Sequence, residues 1–315
     1  MKALLALLVA AAALLPAAAR ASPPLDVGSQ EIVDLAPYVD VYEDTSSAMD
    51  FAAAQRAPYV HESRVVLGDR NATYWLRFTY VGVRPVAPWV LTAGFRPYAV
   101  DLYAAGRVER SGDAIPYALR PLPVYNWIAF SLPPAAVPQT AYLRVQTIEP
   151  LVNVVAYSAE RFRRDVTRDT VVIAALLAIL GTLVLSSIIL FFVMRDSLYL
   201  YYAGYIIAQL VYRANDFGLL QASVFAHASF PYVRTEVFFD GVTLVAATLF
   251  IRRFLRSQAH SRRLDRINVA IACIGALYAL LALAGVPVRY TLVQDFSFVY
   301  VPIWMATGIV CWRKG

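Results

Sequence analysis

The chain of 315 residues is 59% hydrophobic with a mean hydropathy of +0.55. That is too apolar for an ordinary soluble domain and makes a membrane protein the expectation before any motif is read. The net charge of +6 is uneven: residues 1–21 carry +2, residues 22–165 hold 13 basic against 15 acidic groups, and residues 166–315 hold 13 against 7. The basic surplus belongs to the apolar half, where it acts as an orientation signal, so nucleic acid is not an expected partner.

The first 21 residues read as a signal peptide. Lys2 supplies the positive charge, Ala3 to Leu15 form an apolar run too short to span a bilayer, and Ala19-Arg20-Ala21 offers small residues for cleavage before Ser22. An uncleaved anchor is the other reading, and both imply export.

Residues 22–165 have strand grammar: short apolar runs rich in β-branched and aromatic residues, separated by turn signals. Expected strands are His61–Val66, Thr73–Tyr80, Trp89–Ala93, Ala99–Ala104, Trp127–Ser131, Ala141–Gln146 and Val152–Ser158, with a helical stretch near Ser47–Gln55. Pro-rich turns at Pro116, Pro121, Pro123, Pro133 and Pro134 favour an antiparallel sandwich. Asn71-Ala72-Thr73 matches a glycosylation acceptor but reads more simply as part of a turn. The two cysteines, Cys273 and Cys311, lie in apolar spans and His61 is the lone histidine of this half, so disulfides and a Cys/His zinc site are excluded here.

Candidate ligand contacts in the exported half are Trp75, Arg77, Tyr125, Trp127 and Arg144. Aromatic side chains on strands serve as core or as stacking platforms; Tyr103 belongs to the same set. Arg77 and Arg144 at strand positions each need a ligand or a partner such as Asp101 or Glu149. The sequence shows no paired carboxylates, nucleophile elbow or metal cluster, so catalysis is not expected.

The join near Thr170 is short. Arg161 to Asp169 hold no Gly, Ser or Pro that would make a loose linker. Five apolar spans follow, Val171–Met194, Leu198–Gln221, Val233–Leu255, Ile267–Val286 and Thr291–Trp312, the second and third containing polar groups. With an exported amino end, Arg252, Arg253, Arg256, Arg262, Arg263, Arg266, Arg313 and Lys314 fall on the inner side, and Arg289 on the outer. Ala174, Ala178, Thr182 and Ser186 make a stripe of small residues suited to close helix packing.

Arg213, Glu236 and Asp240 are the intramembrane polar candidates, with Asp216, Arg234 and Asp295 nearer span ends. Such groups mark a substrate path or form interhelical pairs, for example Asp240 with Arg213. The pairing is favoured because no span reads as broken by Gly or Pro at mid-depth.

Several motifs now fall in one order. They are Tyr42-Glu43-Asp44-Thr45-Ser46, Tyr74-Trp75-Leu76-Arg77-Phe78, Trp89-Val90-Leu91, Val100-Asp101-Leu102-Tyr103, Ser111-Gly112-Asp113, Ala141-Tyr142-Leu143-Arg144-Val145-Gln146 and, after the first span, Met194-Arg195-Asp196-Ser197-Leu198-Tyr199-Leu200-Tyr201-Tyr202. Over nearly all of its mature length the chain resembles the bacterial seven-transmembrane receptors with diverse intracellular signalling modules, in the form with the second type of extracellular domain. The resemblance implies a jelly-roll sandwich similar to carbohydrate-binding modules, seven helices, and a cytoplasmic output domain such as a diguanylate cyclase or histidine kinase.

The chain reads as five spans against the seven of that pattern, which implies either a truncated gene product with its output enzyme downstream or a protein in which the remaining helices and output domain are absent. The expectation is an all-β jelly-roll-like sandwich plus a helical membrane bundle in the bacterial inner membrane, sandwich periplasmic and carboxyl end cytoplasmic. It would sense a small, carbohydrate-like ligand, with no cofactor or metal; a homodimer is left open. The rival reading is a transport or envelope-assembly component that uses the sandwich for capture.

Overall fold

The computed structural model describes residues 22–27, 30–61, 72–94, 97–125, 127–147, 153–228, 232–286, 288 and 290–314. Residues 1–21, read from the sequence as a signal peptide, Asn71, Glu149, Arg289 and most of the expected strand at 61–66 lie outside the described residues. The chain divides into two compact units. One comprises residues up to Gly112 with Arg120–Leu122 and Trp127–Arg163; the other comprises Asp113–Leu119, Pro123–Asn126 and residues from Arg164 onward.

The first unit holds β1 (Leu25–Asp26), β2 (Ile32–Asp34), β3 (Val39–Asp44), α1 (Phe51–Ala54), β4 (Val60–His61), β5 (Ala72–Val81), β6 (Trp89–Ala93), β7 (Ala99–Ala104), β8 (Arg107–Ser111), β10 (Trp127–Leu132), β11 (Gln139–Thr147) and β12 (Val154–Ser158), while β9 (Leu122–Val124) straddles the division. One sheet runs β4-β3-β5-β11-β7-β8, with β1 pairing β5 in parallel; the second runs β2-β12-β6-β10-β9. Period-two alternation puts Tyr74, Leu76, Phe78 and Tyr80 of β5 with Leu143 and Val145 of β11 and Val100 and Leu102 of β7 in the core, where Leu91, Ile128, Phe130 and Ala156 of the other sheet join them.

Five strands were not expected from the sequence: β1, β2, β3, β8 and β9. β3 is the informative case. Asp40, Glu43 and Asp44 give it the look of a loop, yet Val39 and Val41 face the core and the buried carboxylates of Asp40 and Asp44 are satisfied by specific donors described below.

β12 passes into α2 (Ala159–Met194) without an intervening residue. The Ser158 hydroxyl accepts from the Arg161 N–H, and Glu160 in the first turn suits the positive end of the helix dipole. Thirty-six residues at 1.5 Å each make a rod of about 54 Å, against a hydrocarbon core of about 30 Å. The stretch read from sequence as a short linker, Arg161 to Asp169, is therefore helix. A tight turn follows, in which Arg195 has φ +54° and the Asp196 carboxylate accepts from the Leu198 N–H at 2.9 Å.

The second unit continues with α3 (Leu198–Asp216), α4 (Leu219–Ser223), α5 (Tyr232–Phe254), α6 (Ser257–His260), α7 (Arg262–Leu283) and α8 (Tyr290–Lys314). Among the described residues three helices are long and apolar enough to cross a membrane: α2, α7 and the Asp295–Arg313 portion of α8. α3 and α5 carry more polar groups. α5 packs against both α3 and α7, and its contact with α7 is backbone to backbone: a Cβ on Gly241 would lie 2.5 Å from the Gly275 carbonyl, and one on Gly275 2.8 Å from the Gly241 carbonyl.

The first and last spans each bear on an expectation from the sequence. Ala174, Ala178, Thr182 and Ser186 are exposed, and the buried positions of that span are Ile173 and Ser187; the hydroxyls of Thr182 and Ser186 bond to carbonyls four residues back and need no neighbouring helix. The reading that no span carries a Pro at mid-depth is corrected, because Pro302 sits inside α8, although the helix continues through it from Tyr290 to Lys314.

Candidate functional site

The outward face of the larger sheet is built by register. β5 sets Arg77 opposite Asp40 of β3 and Trp75 opposite Tyr42, while β11 sets Arg144 opposite Asp101 of β7 and Tyr142 opposite Tyr103. Arg77 donates to the Asp40 carboxylate at 2.8 Å, and its guanidinium lies 4.4 Å from the centre of the Tyr59 ring. Asp40 also accepts from the Ser22 hydroxyl. Arg144 donates to the Ser47 carbonyl at 3.1 Å and stands 3.6 Å from Asp101. The pairing of Arg144 with Asp101 anticipated from the sequence is therefore present.

A strap from Thr45 to Tyr59 covers part of this face. The Asp44 carboxylate anchors it, accepting from the Met49 N–H at 2.9 Å and from the hydroxyl and N–H of Ser46. Burial alone would push the Asp44 carboxyl up, but these bonds outweigh it and hold it below the ordinary aspartate range. Asp50 caps α1 by accepting from the Ala53 N–H at 2.7 Å. The cap places Phe51 in a stack on Tyr103, with centroids 4.4 Å apart and planes 7° apart, and edge-on to Tyr142 at 5.4 Å.

Trp75 lies under this strap at 0% exposure, packed with Ala54 and Tyr59. Its expected role as a surface stacking platform is corrected: the indole is the floor of a small second core. Its Nε1 and the Tyr59 hydroxyl are buried without hydrogen-bond partners among the described residues. Burial, then the neighbouring Tyr142, pushes the Tyr59 phenol well up. Arg77 and Arg144 keep 31% and 24% of their side-chain surface, so both present edges to solvent beside Tyr42, Tyr103 and Tyr142.

Tyr125 and Trp127 do not join this face. Trp127 is on β10 of the smaller sheet, where its ring meets Phe162 at 5.9 Å and Tyr157 at 6.0 Å. Tyr125 belongs to the helical unit and donates from its hydroxyl to that of Thr170 at 2.5 Å. The five expected contacts are thus spread over three places, because strand spacing does not say which sheet a strand enters.

In the helical unit Glu236 is fully buried and accepts from the Asn215 side chain at 2.9 Å. Arg213 forms an ion pair with Asp216 at 3.1 Å, one turn along its own helix, and its charge also acts on Asp240, the partner expected from the sequence; both Arg213 and Asp240 line a cavity among α3, α5 and α8. Arg234 donates to the Ala282 and Leu283 carbonyls at the end of α7, which explains an otherwise costly charge. Arg252, read from sequence only as an orientation charge, forks onto Asp265 at 2.8 and 3.1 Å, and Ser257 donates to the same carboxylate at 2.8 Å. No group of three or more His, Cys, Asp or Glu side chains that would hold a metal occurs among the described residues.

Two β-sheets stacked as a sandwich are followed in the chain by a helical region with apolar helices long enough to cross a membrane. Residues 36–155 match the family described as 7TMR-DISM extracellular 2, and residues 169–315 match that described as 7TM diverse intracellular signalling. The chain belongs to the 7TMR-DISM receptors, in the form carrying the second type of extracellular domain. Among curated proteins, none matches the chain.

Proposed function

We propose that this receptor senses a small extracellular ligand, of carbohydrate-like chemistry, on the outward face of the larger sheet, and that binding biases the conformation of α2. The observation that carries the reading is the pair of partly exposed guanidinium groups, Arg77 and Arg144, set beside a row of tyrosines. Guanidinium forks match hydroxyl and carboxylate oxygens, and flat rings suit the apolar faces of sugars. Each arginine is already held by an aspartate, so a ligand would meet pre-oriented donors and lose little entropy on binding.

The absence of a linker between β12 and α2 gives the transmission route. A strained or shifted β12 end passes into a helix rather than into a flexible tether. A ligand moves this equilibrium only by its differential affinity for the two states. We place the sandwich in the periplasm, the chain in the bacterial inner membrane and the carboxyl end in the cytoplasm, where an output module would read the helices; the residues of this chain serve binding and relay rather than catalysis.

The test is calorimetric titration of the full chain in lipid nanodiscs with a panel of neutral and acidic sugars. Arg77→Ala is expected to weaken the binding sugar at least tenfold, about 1.4 kcal/mol. Unchanged affinity in a folded Arg77→Ala protein would remove this face as the site.

A further inference from the structure

Within the helical unit a cavity of about 540 Å³ lies among α3, α5 and α8. That is within the range of small-molecule pockets, roughly 300–1,000 Å³. α3 supplies Tyr205, Gln209, Tyr212 and Arg213; α5 supplies Asp240 and Thr243; α8 supplies Asp295, Phe298, Tyr300 and Trp304.

The charge of the wall has a sign. Among the described lining residues Arg213 is the one cation, and its single charge is shared between Asp216, in an ion pair at 3.1 Å, the Tyr212 ring at 5.1 Å and, more weakly, Asp240, so the carboxylates outnumber it. Asp240 and Asp295 are then two carboxylates facing a volume that would favour positive charge. A carboxylate in an apolar helix bundle is costly and calls for a partner.

The remaining polar groups agree. Pro302 has no N–H to give the carbonyl four residues earlier, which is that of Phe298, a cavity-wall residue. That carbonyl lacks its usual helical donor and can accept from a ligand. The Thr243 hydroxyl and the Trp304 Nε1 are buried and without hydrogen-bond partners among the described residues, and Thr243 is 7% exposed. Tyr300 and Trp304, with ring centres 4.7 Å apart, bring two aromatic rings to the same wall, and Tyr205 adds a third, stacked on Phe250 behind it. Carboxylate, freed carbonyl and electron-rich rings together are the recognition chemistry of an ammonium group.

We propose that this cavity binds a small organic cation, an amine or quaternary ammonium, with Asp240 as its counter-ion, Tyr300 and Trp304 as its aromatic wall and the Phe298 carbonyl as acceptor. The ammonium has two sources: a soluble amine, or the headgroup of an ethanolamine lipid. The site is independent of the sandwich face and of what that face binds.

The test uses the full chain in phosphatidylglycerol nanodiscs, titrated with tetramethylammonium chloride against sodium chloride of equal ionic strength, with binding read from saturation transfer to the methyl protons. Saturable binding is expected, weakened at least tenfold in Asp240→Asn and at least fivefold in Trp304→Leu, both variants keeping wild-type far-ultraviolet circular dichroism and elution volume. Repeating the titration with phosphatidylethanolamine in the nanodiscs separates the sources. A proportionate loss of tetramethylammonium binding assigns the site to the headgroup, and unchanged binding assigns it to a soluble amine. No saturable binding to the wild type, equal binding by Asp240→Asn, or preferential binding of acetate would overturn the proposal.

Discussion

Gly275→Val is expected to be among the most damaging single changes in the membrane half. A Cβ at position 275 would meet the Gly241 carbonyl at 2.8 Å and the Leu244 side chain at 3.1 Å, so valine must push α7 off α5. Small residues let helix backbones approach where lipid gives no hydrophobic drive, and overpacking typically costs about 1–3 kcal/mol, more where the obstacle is backbone. We expect a loss of about 3 kcal/mol or more, seen as a lowered midpoint in thermal unfolding of the detergent-solubilised protein. Gly308→Ala is the control. Nothing lies within 4 Å of a Cβ there, and alanine should be neutral or stabilise the helix by about 0.5–1 kcal/mol.

Trp75→Ala should be comparably severe in the sandwich. The indole is fully buried and supports Phe51, Tyr59 and Tyr103. Truncating a buried tryptophan costs about 3–5 kcal/mol through lost transfer energy and the cavity left behind. The strap should loosen first, because Asp44 and Arg144 hold its near end by hydrogen bonds while its middle rests on Trp75. Limited proteolysis should therefore cut between Thr45 and Tyr59 before any strand of the sandwich. If cleavage began instead in β6 or β10, the strap would not depend on Trp75.

The sequence made the sandwich legible where alternation was clean. β5 shows it best: Trp75 and Arg77 face outward while Tyr74, Leu76, Phe78 and Tyr80 face the core, and β7 and β11 follow the same rule, whereas β6 is buried along its whole length. β3 was hidden because its acidic residues resemble a loop until Arg77 and the turn after Asp44 are seen to satisfy them. Trp75 was visible as a strand aromatic, but nothing local told that α1 would close over it. The covering segment begins some thirty residues earlier and is held by long-range contacts such as Arg144 with Ser47.

In the membrane half, hydropathy found the helices but not their contacts. The small-residue stripe on the first span was conspicuous and is exposed, whereas Gly241 and Gly275 are single glycines 34 positions apart with no pattern between them. Their meeting is a property of tertiary packing alone. Asp240 was visible as a costly charge, but the cavity it lines is made where three helices meet, which hydropathy does not show. A charge in a span signals that a partner is needed, without naming it.

The coupling of the sandwich face to the first helix is tested most directly by hydrogen–deuterium exchange of the full chain with and without the sugar that the titration selects. Protection is expected in β3, β5, β7 and β11 and in the strap from Thr45 to Tyr59, together with a changed exchange rate in the first turns of α2, Ala159 to Thr170. Protection of the sheet with no change anywhere in α2, or a change confined to the helical unit, would contradict the account.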